Sequence, residues 1–130
     1  MAERIPDTLL DLFKKPVVAN LATLMPAGTP QVTPVWVDYD GQYVLINTAK
    51  GRQKERNMER NPKVGLDMVD PSDQFHWLSV RGRVAEITEN GAIEHIHQLS
   101  RKYIGHDYDQ FVPGETRVIC KIAPEHVLGQ

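Results

Sequence analysis

At 130 residues the chain is the size of one domain, 1–130, able to bury a real core but not a deep private cavity as well. Its composition is ordinary globular, 41% hydrophobic and 25% charged, and a formal net charge of −2 excludes a global basic field for nucleic acid or an acidic membrane. Cys120 is the only cysteine, which excludes an intramolecular disulfide and fits a reducing, cytoplasmic compartment; the charges scattered through MAERIPDTLLDLFKKP do not make a signal peptide, and no later run approaches a membrane span.

Residues 6–15 predict a short amphipathic helix. Pro6 suits a first helical turn, Leu9, Leu10, Leu12 and Phe13 share a face, and Pro16 stops the run. The period then changes to two. Val17 to Met25 alternates with few polar interruptions, which predicts a strand buried on both faces. Pro26-Ala27-Gly28-Thr29 is a turn, and a second strand runs from Pro30 to Tyr39. Pro34 removes one ladder donor from it and marks an edge, a bulge or an opening. Asp40-Gly41 signals a hairpin into a third strand, Tyr43 to Thr48.

A short helix is expected from Gln53 to Arg60, ended by Asn61-Pro62. Lys63 to Val69 is a fourth strand, and Phe75 to Ile87 a long fifth, with Gly82 as a bulge or a close backbone approach. Gly91 to Ile104 predicts a helix with an apolar stripe of Ala92, Ile93, Ile96, Leu99 and Tyr103, capped by Gly105. Thr116 to Ile122 is the last strand. Six strands with short connections suggest a closed or partly closed barrel, since closure removes edges.

The sequence contains no G-x-G-x-x-G and no Walker A pattern, and no hydroxyl or thiol stands in a nucleophile motif. His95 and His97 lie two apart on a predicted helix, so they cannot chelate one ion, and a solvent-facing pair is expected; Cys120 between Ile119 and Lys121 reads as a buried structural thiol. No metal site and no catalytic acid, base or nucleophile are nominated. That points to a cofactor that carries the reaction.

One block has chemical content. Thr48-Ala49-Lys50-Gly51-Arg52-Gln53-Lys54-Glu55-Arg56 places four cations over seven positions at a strand-to-helix junction. Gly51 allows close backbone approach, and the helix that follows offers free N–H groups, so the block suits a phosphate. By charge pattern alone a solvated basic turn is the commoner outcome. Arg52 and Arg56 share a helical face, and Lys54 joins Arg52 only if it reaches back from the first turn. The strand Gln31-Val32-Thr33-Pro34-Val35-Trp36-Val37 could present free backbone groups to a flat heterocycle, or be an edge strand with a tolerated proline.

The order QVTPVWVDYDGQYVLINTAKGRQKERNMERNPKVGL, then WLSVRGRVAEI, then GETRVICKIAPEHV resembles the pyridoxamine 5'-phosphate oxidase-like split-barrel flavoproteins over nearly the whole chain. Within them it is most similar to the small enzymes that use the deazaflavin coenzyme F420. The resemblance implies a mainly β, six-stranded antiparallel split barrel, and a homodimer with cofactor grooves at its interface. It implies that Arg52 and Lys54, with Lys50 and Thr48 nearby, hold the cofactor phosphate, and that Val32, Thr33, Pro34 and Val35 lie along the ring. Phe75 and Trp77 are further lining candidates. A basic strand motif before the hairpin and a C-terminal arginine segment, which the pyridoxamine-phosphate oxidases carry, do not occur here, so that activity is not expected.

The expected function is F420-dependent reduction of an electron-poor small molecule. An FMN oxidoreductase or flavin carrier is the alternative on the same fold, and a non-catalytic, oligonucleotide-binding type of barrel a remote one that the charge balance disfavours. Lys50, Arg52, Lys54 and Arg56, with Arg60 one turn beyond, exceed what one phosphate requires and could form a track for the oligoglutamate tail of F420.

Overall fold

A computed structural model describes residues 3–130. Its centre is one antiparallel sheet whose strands are β1 (Ala19–Leu24), β2 (Pro30–Val35), β3 (Val37–Tyr39), β4 (Val44–Ala49), β5 (Lys63–Asp70), β6 (Asp73–Thr88) and β7 (Arg117–Gly129). The order across the sheet is β2-β1-β5-β6-β7-β4-β3. Seven strands replace the expected six because the Pro30–Tyr39 strand is cut at Trp36. Its first half pairs with β1, Ala19 opposite Val35, and its second half pairs with β4, Val37 opposite Ile46. The two ends of the sheet are therefore one run of chain, joined through Trp36. That junction, from which β2 and β3 diverge, curls the sheet into a barrel, and past the end of the short β3 the barrel is left split between β2 and β4.

The break has a physical cause. Pro34 offers no N–H to a ladder. Beyond it, the Val37 N–H is taken by the Tyr103 hydroxyl at 3.1 Å, and the Val37 carbonyl accepts from the Lys102 ammonium at 2.6 Å. Trp36 itself turns out of the ladder and stacks on Tyr103, ring centres 5.3 Å apart and 11° from parallel. Such a stack is worth about 0.5–1.5 kcal/mol beyond its burial. The Tyr103 hydroxyl also donates to the Val17 carbonyl at 2.6 Å, and burial pushes its pKa up to about 12, so it keeps its proton.

The helices are α1 (Asp11–Lys14, preceded by a 3-10 turn at Asp7–Leu9), α2 (Gln53–Arg60) and α3 (Ala92–Ile104). The first is far shorter than the expected 6–15, because Leu10 separates two single turns and Lys15 is already extended. Leu9, Leu12 and Phe13 nonetheless pack into the barrel core with Leu21, Ile46, Met68, Leu78 and Ile122. β1 is buried on one face only: Leu21 and Thr23 point in, while Asn20 is exposed and Ala22 and Leu24 half-buried. β7 runs seven residues past the expected Ile122, pairing along β6 as far as Leu78 opposite Gly129. Gly82 sits at a register shift of β6, where an added Cβ would meet the Ala123 carbonyl oxygen at 2.5 Å and Ile122 at 2.9 Å; both expectations for this glycine meet at one residue. No helix among the described residues is long and apolar enough to cross a membrane.

Candidate functional site

The split between β2 and β4 is a cleft of about 340 Å³. One lip is β2, with Pro34, Val35 and then Trp36; the other is β4, with Asn47 and Thr48. β2 ends the sheet, so the backbone groups on its free side have no strand partner. Val18 and Ile96 add apolar wall, and Tyr108 stands edge-on to Trp36 at 6.3 Å. Arg52, Lys54 and Arg117 close one side with positive charge.

These cations come from three local structures. Arg52 is the N-cap residue of α2, after a turn in which Gly51 takes a φ of 91°. The buried Glu55 carboxylate Oε1 accepts the Gly51 N–H at 2.7 Å and holds that turn. Lys54 lies in the first helical turn and does reach back beside Arg52. Arg117 opens β7 opposite Ala49, and its side chain is only 3% exposed.

Their counter-charge is thin. Glu115 gives one carboxylate oxygen to Arg52 and the other to Arg117, each at 3.4 Å. Among the described residues no carboxylate pairs with Lys54. Burial holds its ammonium below the usual lysine range, and the charges of Arg52 and Arg117 push the same way. Three cations against one carboxylate leave an excess of two positive charges in a half-buried cleft. The buried Thr48 hydroxyl has no hydrogen-bond partner among the described residues. Uncompensated charge and an orphaned hydroxyl are what an anionic ligand with acceptor oxygens would satisfy.

The expected site residues divide. Pro34, Val35, Thr48, Arg52 and Lys54 meet in this cleft. Val32, Thr33 and Lys50 do not line it; Val32 and Lys50 are exposed, and Thr33 lies opposite Leu21 on β2. Phe75, 66% exposed, and the half-buried Trp77, which is paired with Val69, stand at the start of β6, outside the cleft of their own chain. The supposed track also shortens. Arg56 bonds Gln53 at 2.7 Å, and Arg60 donates to the Leu24 carbonyl and to Asn57.

Sequence reasoning missed Arg117, Tyr108 and Asn47, which no local motif marks. It also misjudged the histidines. His95 is buried and His97 half-buried, its Nδ1 accepting the Tyr108 N–H at 3.0 Å. His95 falls within the apolar stripe, three residues after Ala92 and four before Leu99, whereas Ile93, counted in that stripe, is 52% exposed. Cys120 is a core thiol, pushed up to about 12 by burial and then by Glu55 and Glu59. Away from the cleft, Asp11, Asp70 and His76 come together, but the Lys15 ammonium already lies 3.2 and 2.9 Å from the two carboxylates.

An antiparallel barrel split between two strands, with a cationic cleft in the split, is a split-barrel fold with a candidate anion site. A family model for pyridoxamine 5'-phosphate oxidase matches residues 5–130, and the chain belongs to that family of oxidoreductases. A solved F420 reductase is 31% identical, covers 97% of this chain and 100% of its own, and superposes with a TM-score of 0.86. HupZ of Group A Streptococcus (22% identity, 96% of this chain, 93% of that chain, TM-score 0.70) shares the fold. So does the conserved hypothetical protein Rv2991 of Mycobacterium tuberculosis (22% identity, 95% and 82%, TM-score 0.68).

Proposed function

We propose that the chain is a cytoplasmic F420-dependent reductase of electron-poor small molecules. The observation that carries this reading is the cleft itself: three clustered cations at one side, and a strand lip free of ladder partners along the other. Arg52, Lys54 and Arg117 would hold the phosphate, with the Thr48 hydroxyl beside them, and Pro34 and Val35 would lie against the ring. When bound, the cofactor supplies a hydride to the acceptor. The protein binds, orients and excludes water; no side chain is assigned as proton donor. The neighbour solved as an F420 reductase supports the choice of cofactor, and Lys50 on the exposed loop edge remains available to an anionic tail.

The cleft of one chain is small for such a cofactor, and the reading includes a homodimer. The outer sheet face suits a partner. It carries the exposed Val32, Val69 and Leu128 around Ala22 and Gly65, with Arg81 opposite Gly65 and Asp67 opposite both Asn20 and Ser79. Val32, Phe75 and Trp77 would then complete the groove of the opposite subunit. The test is a side-by-side titration with F420 and with FMN at matched ionic strength, then anaerobic turnover of an enone. Tighter binding of FMN with turnover only from FMN would reassign the cofactor; binding of neither would remove the functional reading. Sedimentation of a stable monomer that still binds tightly would remove the dimer.

A further inference from the structure

We propose that His95 is a positioning residue which, through Asn47, fixes the Arg117 guanidinium facing the cleft. The geometry is a chain of four side chains from four elements. Asp38 of β3 places Oδ2 at 3.7 Å from His95 Nε2. His95 Nδ1, on α3, lies 3.1 Å from Asn47 Nδ2, on β4. Asn47 Oδ1 accepts from Arg117 Nε, on β7, at 3.0 Å. Asn47 Nδ2 also donates to the Ala92 carbonyl at 2.8 Å.

Donor and acceptor chemistry permits one arrangement of protons along this chain. A guanidinium only donates, so the Asn47 oxygen must face Arg117. The amide nitrogen then faces Ala92 and His95, and the Ala92 carbonyl only accepts. His95 Nδ1 must therefore be a bare acceptor, and the ring proton sits on Nε2, towards the Asp38 carboxylate. Nε2 is buried without a hydrogen-bond partner among the described residues, so that carboxylate is what compensates it, at slightly more than bonding distance. A proton on Nδ1 would oppose the Asn47 N–H and favour the flipped amide, which turns a donor towards Arg117.

Arg117 needs such an anchor. Arg52 and Lys54 share its cleft and repel it, and its other supports are Glu115 at 3.4 Å and the Tyr108 ring at 5.3 Å. Glu115 is divided between Arg117 and Arg52, and among the described residues the Asn47 oxygen is the one short bond the guanidinium makes. Its strength rests on an amide that His95 and Ala92 hold in one orientation. The consequence for binding rests on the functional reading above; the orienting chain itself does not.

The experiment uses the full chain without cofactor first. Long-range ¹H–¹⁵N correlation identifies the His95 tautomer, expected as Nε2–H, and the Arg117 Nε–H is expected as a slowly exchanging resonance. His95→Leu keeps bulk without an acceptor and should lose that resonance. His95→Asn puts an oxygen near the Nδ1 position and should restore it. Titration of each protein with F420 and with FMN follows. The Leu variant should weaken whichever cofactor the parent binds by about three- to tenfold, the scale of one hydrogen bond, and the Asn variant should recover most of that loss. An Nδ1–H tautomer in the parent overturns the inference even if His95→Leu fails to fold. So does an unchanged Arg117 Nε–H in a folded Leu variant. A parent that binds neither cofactor removes the functional reading alone, and the spectra still decide the orienting chain.

Discussion

Lys54 should weigh oppositely on stability and on binding. In the cleft its ammonium is half-buried, beside Arg52 and Arg117, with no carboxylate of its own among the described residues. Lys54→Met keeps the aliphatic stem and removes the charge. Relief of like-charge contacts in a partly solvated place is worth about 0.5–1 kcal/mol, which for a chain this size raises the melting temperature by roughly 2–5 °C. The same change removes a charge-assisted bond to the ligand phosphate. Such bonds are worth about 1.5–3 kcal/mol, and partial exposure puts Lys54 near the low end, about tenfold in affinity.

The two effects should cross. Cofactor at about 100 times the parent's Kd stabilises the parent by about 2.7 kcal/mol; at about 10 times its own Kd, the variant gains only about 1.4 kcal/mol. Lys54→Met should thus melt above the parent when empty and below it when loaded. Added salt should shrink both differences. The pH dependence has a definite sign. Because the folded-state pKa lies below the unfolded value, the unfolded chain holds the proton longer. Parental stability therefore rises with pH through that alkaline window, a rise the variant lacks. Calorimetry with and without F420 or FMN checks this. An empty variant that melts below the parent, or a loaded one that keeps full affinity, would refute the cationic cleft as a ligand site.

Other perturbations probe the frame. Gly82→Ala places a Cβ 2.5 Å from the Ala123 carbonyl oxygen and should cost about 1–3 kcal/mol in denaturant unfolding, whereas Gly65→Ala, with 3.7 Å of room, should cost much less. His76 faces the Asp11 carboxylate at 2.9 Å and the Gln130 carbonyl at 2.9 Å, contacts that raise its pKa, the Asp11 bond most. Its stabilisation is present below the ordinary histidine range and is lost as pH rises through the raised pKa, so the melting temperature should fall on that limb and Asp11→Asn should flatten it. Glu55, pushed up by burial and by Glu59 against the Gly51 N–H, costs stability as pH rises past the ordinary carboxylate range; Glu55→Gln keeps an acceptor for Gly51 and should abolish that slope.

What was legible in the sequence is what local chemistry decides. Asp40-Gly41 reads as a hairpin because Gly41 takes a φ of 96° and the Asp40 carboxylate accepts the N–H groups of Gln42 and Tyr43. α2 was legible residue for residue because Asn61-Pro62 ends it sharply. Arg52 and Lys54 were legible because a cationic run at a helix start has a local meaning. Arg117 was not, since nothing beside it in Arg-Val-Ile-Cys-Lys separates a cleft cation from a strand-edge one; its place is set by pairing with β4, far away in the chain. The cut at Trp36 was half legible. Pro34 announced a defect in the ladder, but its outcome depends on Lys102 and Tyr103, which arrive from α3 to take the Val37 groups.

That cut is where fold and site become one argument. A continuous strand from Pro30 to Tyr39 would present one ladder edge throughout, and β2 and β4 would have no reason to separate. Turning at Trp36 sends the two halves to opposite ends of the sheet, so the chain closes the barrel and opens it in the same residue. The opening must then be furnished. α3 supplies the staple on Val37, the stack under Trp36 and, one face further on, His95. The Gly51 turn delivers Arg52 and Lys54 from the end of β4, and β7, paired along β4, delivers Arg117. The cations therefore cluster because β4 and β7 are neighbours in a barrel whose split begins beside them. Mending the split would disperse the site as surely as removing a charge. Trp36→Ala, by loosening the Tyr103 stack, should weaken binding without altering any cation.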